Sequence, residues 1–241
     1  MGNLSKVGGI FYGMAIAAMG ILTIYFHDFP YMLIPPKHLW ISDHVIFIYI
    51  SGALLFLAGA CIVFEKRSLP VSLLLGTVLL LIFCFSFIPY ELSASSNYKH
   101  FGAWENAAKE LALAGGAFVI AGWWSFGAIL FSLTIISFSI DHFLYAKEAA
   151  DYIPAWIPNH MFWMYFAGVA LLCSGIGIIL KIKPRLMAAL LGTMIFIWVI
   201  ILHIPKAIAA PIAYKGGEVS SAFLALAYCG IAFVIAGATK R

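Results

Sequence analysis

Charge is scarce in this chain: 10% of its 241 residues are Asp, Glu, Lys or Arg, while 64% are hydrophobic. A soluble domain is about 25% charged and about 45–50% apolar, so one water-soluble core of this length would leave too much apolar surface exposed. Lipid is the expected solvent. Cysteine is equally sparse. Cys61, Cys84, Cys173 and Cys229 are scattered and form no CxxC, which excludes a disulfide framework and a thiolate zinc site. There is no HxxxH, no ExxH and no histidine pair set for bis-axial ligation within one helix, so no metal is expected. No Lys/Arg-rich run exists, and the net charge of +4 is modest, so nucleic acid is not an expected partner. The lipid bilayer is.

What is present is a series of long apolar windows. They fall near 8–26, 45–64, 69–89, 106–122, 125–141, 160–180, 186–204 and 220–238. Backbone groups in lipid must pair internally, so windows of this length read as helices. Residues 8–26 read as a retained span rather than a cleaved signal, because no cleavage site follows. From Leu111 to Ile140 there is no charge at all. One helix of that length would run about 45 Å, beyond a hydrocarbon core of about 30 Å. A reversal at Gly122-Trp123-Trp124-Ser125 is therefore expected, with the tryptophans at the interface.

An internal repeat supports that division. Shifted by 116 residues, Trp40-Ile41, His44, Tyr49, Gly52, Leu55 and Gly59 fall on Trp156-Ile157, His160, Tyr165, Gly168, Leu171 and Gly175. Leu74-Leu75-Gly76-Thr77 falls on Leu190-Leu191-Gly192-Thr193, and Ile88-Pro89 on Ile204-Pro205. Matches of Trp, His, Gly and Pro in unbroken register indicate duplication. The expected fold is an all-α membrane protein of eight transmembrane helices, arranged as two parallel four-helix repeats over 1–124 and 125–241. An even number of spans per copy inserts both the same way up.

Charge bias suggests the orientation. Lys6, Lys66, Arg67, Lys181, Lys183, Arg185, Lys240 and Arg241 lie on one side; Lys37, Lys99, Lys109, Lys147, Lys206 and Lys215 lie on the other, with nine of the ten acids. Short basic loops favour the cytoplasm, which would place both termini there and all seven histidines at the outer ends of helices or in outer loops.

Those outer ends carry the candidate ligand-binding residues. Asp141-His142 closes the fifth span, Trp156 and His160 open the sixth, and His203 and Lys206 close the seventh. Ionisable groups at the hydrocarbon boundary are costly and point to function. Asp141 with His160 or His203 would form a proton-exchanging carboxylate–imidazole pair. The same residues also fit a plainer role, solvated or snorkelling in the headgroup layer, with Trp156 as an anchor. Glu105 and Lys109 make a helix-stabilising i, i+4 pair. Glu110 is left over, a partner across the bundle to Lys206 or a histidine. In the first copy the counterparts are His27, Asp28 and His44, but Phe87 and Tyr90 stand where His203 and Lys206 are.

The run Asp141-His142-Phe143, then Ile153-Pro154-Ala155-Trp156-Ile157-Pro158-Asn159-His160, Leu191-Gly192 and His203-Ile204-Pro205, resembles the DoxX-like membrane protein family. The resemblance covers the second copy and, more faintly, the first. It implies a bacterial inner-membrane protein in tandem form, associated with a redox enzyme or another membrane-protein partner. A quinone or similar lipid-soluble molecule is the ligand class it suggests. A non-catalytic membrane chaperone or scaffold is the alternative, and a small-molecule or lipid transporter the third. The resemblance supplies no catalytic residues.

Overall fold

The computed structural model describes residues 2–35, 44–65, 68–93 and 99–238. Lys37, His38, Trp40-Ile41, Lys66-Arg67 and Lys240-Arg241 lie outside the described residues. The described chain is helical, with no strand among those residues.

Eight principal helices follow one another: α1 (Asn3–Phe26), α2 (Val45–Val63), α3 (Ser68–Ser93), α4 (Glu105–Ile120), α5 (Trp124–Leu144), α6 (His160–Ile179), α7 (Pro184–Ala209) and α8 (Gly217–Ala238). Seven are long and apolar enough to cross a membrane, and α4 is not one of them. Its 16 residues extend about 24 Å, short of a hydrocarbon core of about 30 Å. The window expected at 106–122 is thus a shorter helix. It begins after a 3-10 turn at Phe101–Trp104, and Ala107 and Ala112 to Ile120 are buried within the bundle.

The reversal after α4 lies where the sequence places it. Gly122 adopts φ +90°, and its N–H reaches the Val119 carbonyl while the Trp123 N–H reaches that of Phe118. This paired closure requires a left-handed residue after the helix, which glycine adopts without a steric penalty.

Helices α3 and α7 each contain a wider π turn, Phe83–Phe87 and Val199–His203, just before Ile88-Pro89 and Ile204-Pro205. Proline has no N–H to offer the carbonyl four residues back. The neighbouring N–H groups of Ile88 and Ile204 instead reach the carbonyls of Phe83 and Val199, five residues back. Such turns re-aim the helix beyond them.

Each helix packs on the next, α8 returns to α1, and α4 meets α8 across the middle, so the helices close a ring around one core. The core draws on both halves: Tyr12 and Ile16 of α1, Leu113 of α4, Phe131 of α5, Leu191 of α7 and Ile231 of α8 are all buried in it. The two halves are therefore not separate bundles. Large apolar side chains such as Leu54, Leu74, Phe85, Phe162 and Leu190 point outward instead.

That inversion has a physical reason. Lipid tails are as apolar as leucine, so helices in a membrane associate by close backbone approach and buried hydrogen bonds. A Cβ on Gly8 would collide with Gly230 and Val234 of α8, one on Gly20 with Gly52 and Phe56 of α2, and one on Gly127 with Gly115 and Val119 of α4. Ser139 donates to the Gly168 carbonyl at 2.7 Å, and Thr134 to that of Ala108 at 2.7 Å.

Candidate functional site: a buried ionic cluster at the polar end

Residues 27–35 after α1 and the α5–α6 and α7–α8 connections lie at one end of the ring, the polar end, and the Glu65 and Lys181–Lys183 turns lie at the other. Because α4 is short, its first turn is recessed among its neighbours. Thr134 of α5 sits level with Ala108, where it donates its hydroxyl, and α5 continues to Leu144. The seven residues from Thr134 to Asp141 rise about 10 Å above that level. The first turn of α4 thus forms the floor of the polar end.

Lys109 organises this floor. Its Nζ lies 2.6 Å from a Glu105 oxygen, 3.2 Å from Asn106 Oδ1 and 4.9 Å from the centre of the Tyr31 ring. Only 12% of its side chain is exposed. Tyr31 is held above it by a 2.7 Å hydrogen bond to Ser221 of α8, while Met32 and Leu33 are buried beside it. The Lys109 charge acts on both Asp141 of α5 and His203 of α7, and that of Glu105 acts on Asp141 and His142. Asp141, His142 and His203 therefore lie at the same end as Lys109, but the expected pair of Asp141 with His160 or His203 is not formed among the described residues.

Within this group, Asp141 is the unsatisfied member. Both of its oxygens are buried and make no hydrogen bond among the described residues. His142 Nδ1–H donates to the Phe138 carbonyl at 2.7 Å, which leaves Nε2 as the second ring nitrogen available to a partner. Lys206 lies to one side, its Nζ 3.8 Å above the Tyr152 ring and within electrostatic reach of His203 and Glu218.

The other sequence-derived candidates fall elsewhere. Trp156 is 71% exposed, on a connection whose Ile153 and Ile157 pack with Met164 near Trp163 and Trp198. His160 begins α6 after a left-handed Asn159. His27 shares a 2.7 Å hydrogen bond with Tyr49 on the exposed surface, Asp28 pairs with Lys215 at 2.6 Å, and His44 stands at the N-terminal boundary of α2 without a side-chain capping hydrogen bond. Among the described residues, Glu110 makes no contact of hydrogen-bonding or ion-pairing kind with Lys206 or a histidine. Glu110 is fully buried, and its oxygens make no hydrogen bond among the described residues.

In the sequence Glu105 and Lys109 read as a helix-stabilising pair, and nothing there marks Tyr31 or Tyr228. The signal for Lys109 was its place at the start of a helix with few polar residues on any face. Tyr31 and Tyr228 join through tertiary packing alone.

Comparison of the chain with family models, with curated proteins and with solved structures finds no match.

Proposed function

We propose that this integral membrane protein is a tandem DoxX-like protein that binds the polar head of a quinone or related lipid-soluble molecule and exchanges protons with it at the polar end. The supporting observation is Asp141: a carboxyl with both oxygens buried and no donor among the described residues, at the same end of the molecule as Lys109 and His203. A quinol hydroxyl supplies the donor that Asp141 lacks, and Lys109 or His203 donates to a quinone carbonyl. Hydrogen bonds to charged groups contribute about 1.5–3 kcal/mol each. Electrons pass to a partner protein that carries a redox cofactor.

In this reading the chain crosses the membrane eight times, α4 included, as two parallel copies divided near 124/125. The π turns at 83–87 and 199–203 lie 116 residues apart. Gly8 against Gly230 resembles Gly127 against Gly115, and Gly20 against Gly52 resembles Ser139 against Gly168. Those contacts align α1 with α5 at an offset of 119, which sets Leu22 and Thr23, rather than His27 and Asp28, opposite Asp141 and His142. The working cluster joins Glu105 and Lys109 of the first copy to Asp141, His142 and His203 of the second. The basic loops and both termini face the cytoplasm of a bacterial inner membrane, and the polar end faces outward.

Titration of the purified protein in nanodiscs with a short-chain quinone analogue tests the assignment. Asp141→Asn and His203→Ala are each expected to weaken binding about tenfold, or about 1.4 kcal/mol. Unaltered binding in both variants overturns it.

A second reading, a scaffold for partner proteins, draws on the apolar side chains exposed near the same end, Trp156, Ile208, Ile212 and Tyr214. Under that reading, their replacement reduces partner recovery while quinone-analogue binding is absent in the wild type.

A further inference from the structure

The end of the ring opposite the polar end carries a cleft that the quinone assignment does not use. It opens where α1, α2, α3, α4 and α8 converge, with about 360 Å³ of empty space counting the part open to the surroundings. Charge stands at its rim. Lys6, in the first turn of α1, has its Nζ 3.5 Å from a carboxylate oxygen of Glu65, just beyond α2, and both side chains are more than half exposed. A charge-assisted N–H···O bond is closer, about 2.7–2.9 Å, so this pair is loose and leaves donors and lone pairs to other groups. Ser68 lines the same rim and begins α3, whose first-turn N–H groups favour an anion. Ser5 lines the cleft too, and its buried hydroxyl makes no hydrogen bond among the described residues.

Behind the rim the walls are apolar, with Ile62 and Ile120 among them. Gly9 keeps the cleft open. A Cβ built on it meets nothing within 4 Å, whereas one on the preceding Gly8 collides with α8. Close helix packing therefore explains Gly8 but not Gly9.

The second copy shows that the fold does not require these groups. In the register that aligns Gly8 and Gly20 with Gly127 and Ser139, Ser5 and Gly9 correspond to Trp124 and Ala128, both packed against the core. Lys6 corresponds to Ser125 in the same register. Glu65 corresponds to Lys181 at the 116-residue offset, and both adopt a left-handed backbone, at φ +56° and +58°. The second copy thus keeps the turn, loses the pair of opposite charges, and puts an indole where Ser5 stands.

The cleft lies at the ends of helices long enough to cross a membrane, the level of lipid headgroups. A head carrying both charges matches its rim. A phosphate beside Lys6 and Ser68, with a primary ammonium beside Glu65, gives every charge an opposite neighbour. A purely anionic head would meet Glu65 with like charge, and a quaternary ammonium has no N–H to donate to it. We propose that this cleft binds one phospholipid with a primary-ammonium zwitterionic head, of the phosphatidylethanolamine class. The phosphate sits on Lys6 and Ser68, the ammonium on Glu65, and the apolar part of the molecule passes over Gly9. The site is independent of any ligand at the polar end.

Native mass spectrometry of the delipidated full chain in detergent tests this, by titration with phosphatidylethanolamine, phosphatidylcholine and phosphatidylglycerol of equal chain length. The first phosphatidylethanolamine is expected to bind about tenfold tighter than either of the others, as one hydrogen bond to a charged group predicts. Gly9→Leu fills the cleft and should erase that preference without lowering the thermal midpoint. Glu65→Gln removes the like charge and should bring phosphatidylglycerol up to the level of phosphatidylethanolamine. If Gly9→Leu does not fold, Lys6→Gln, on an exposed side chain, takes its place with the same expected loss of preference. The proposal is overturned if the three lipids bind the wild type alike, if the preference survives in the cleft variant, or if phosphatidylglycerol stays weak in Glu65→Gln. Displacement of the lipid by equimolar phosphoethanolamine, which has no tails, would overturn the lipid assignment. The quinone titration reads the other end of the molecule, so either result stands without the other.

Discussion

Burying the Lys109 ammonium removes it from water, and the structure offsets that cost with Glu105, Asn106 and the face of Tyr31. Removing one partner of a buried ion pair costs about 3–5 kcal/mol, because the remaining charge is stranded. Glu105 is half exposed, so solvent screens part of that loss. Lys109→Met is expected to destabilise the protein by about 2 kcal/mol, read as a lower thermal midpoint in detergent. The double variant Lys109→Met/Glu105→Gln should recover part of it. A double variant no more stable than the single one would show that Glu105 was not stranded. Ser139 is a milder case. Its hydrogen bond to Gly168 spans two helices, and such bonds contribute about 0.6 kcal/mol in membranes. Ser139→Ala should lower stability by about that amount and leave quinone-analogue binding intact.

The helix-forming windows, the reversal at Gly122 and the polar helix ends are legible in sequence because they rest on local apolarity, glycine freedom and proline. The length of α4 is not. Apolarity runs on past its C-terminal end, and the hydrogen bond from Thr134 to Ala108, with the close approach of Gly115 and Gly127, fixes its depth relative to α5. The same displacement makes the half-exposed Glu105 and the largely covered Lys109 the floor of the cluster. The π turns were hidden too, since Pro89 and Pro205 mark a break without giving its form. At the reversal, nothing lies within 4 Å of a Cβ built on Gly122, so its replacement tests the backbone alone. Gly122→Ala is expected to cost about 1–2 kcal/mol in thermal unfolding. No change would mean that the turn relaxes out of its left-handed conformation.

The arrangement of the whole ring follows from which helices approach most closely. Gly8 and Gly230 bring α1 against α8, and Gly115 and Gly127 bring α4 against α5. Both contacts join opposite halves of the chain, so each half leaves glycine-lined faces of α1 and α4, or of α5 and α8, uncovered when alone. Cutting the chain between Gly122 and Trp123 should therefore give two fragments that are unstable apart but copurify as a folded complex when produced together. Gly8→Leu should break that complex more severely than the intact protein, where the chain still tethers both halves and keeps their effective concentration high. Two fragments that each run as stable monomers, with no copurification, would mean that each half closes on itself and that the ring is not the folding unit. A fragment that pairs with a second copy of itself is the informative intermediate. It would show that the glycine faces recognise their duplicated counterparts, as expected if the ring descends from a dimer of one four-helix chain.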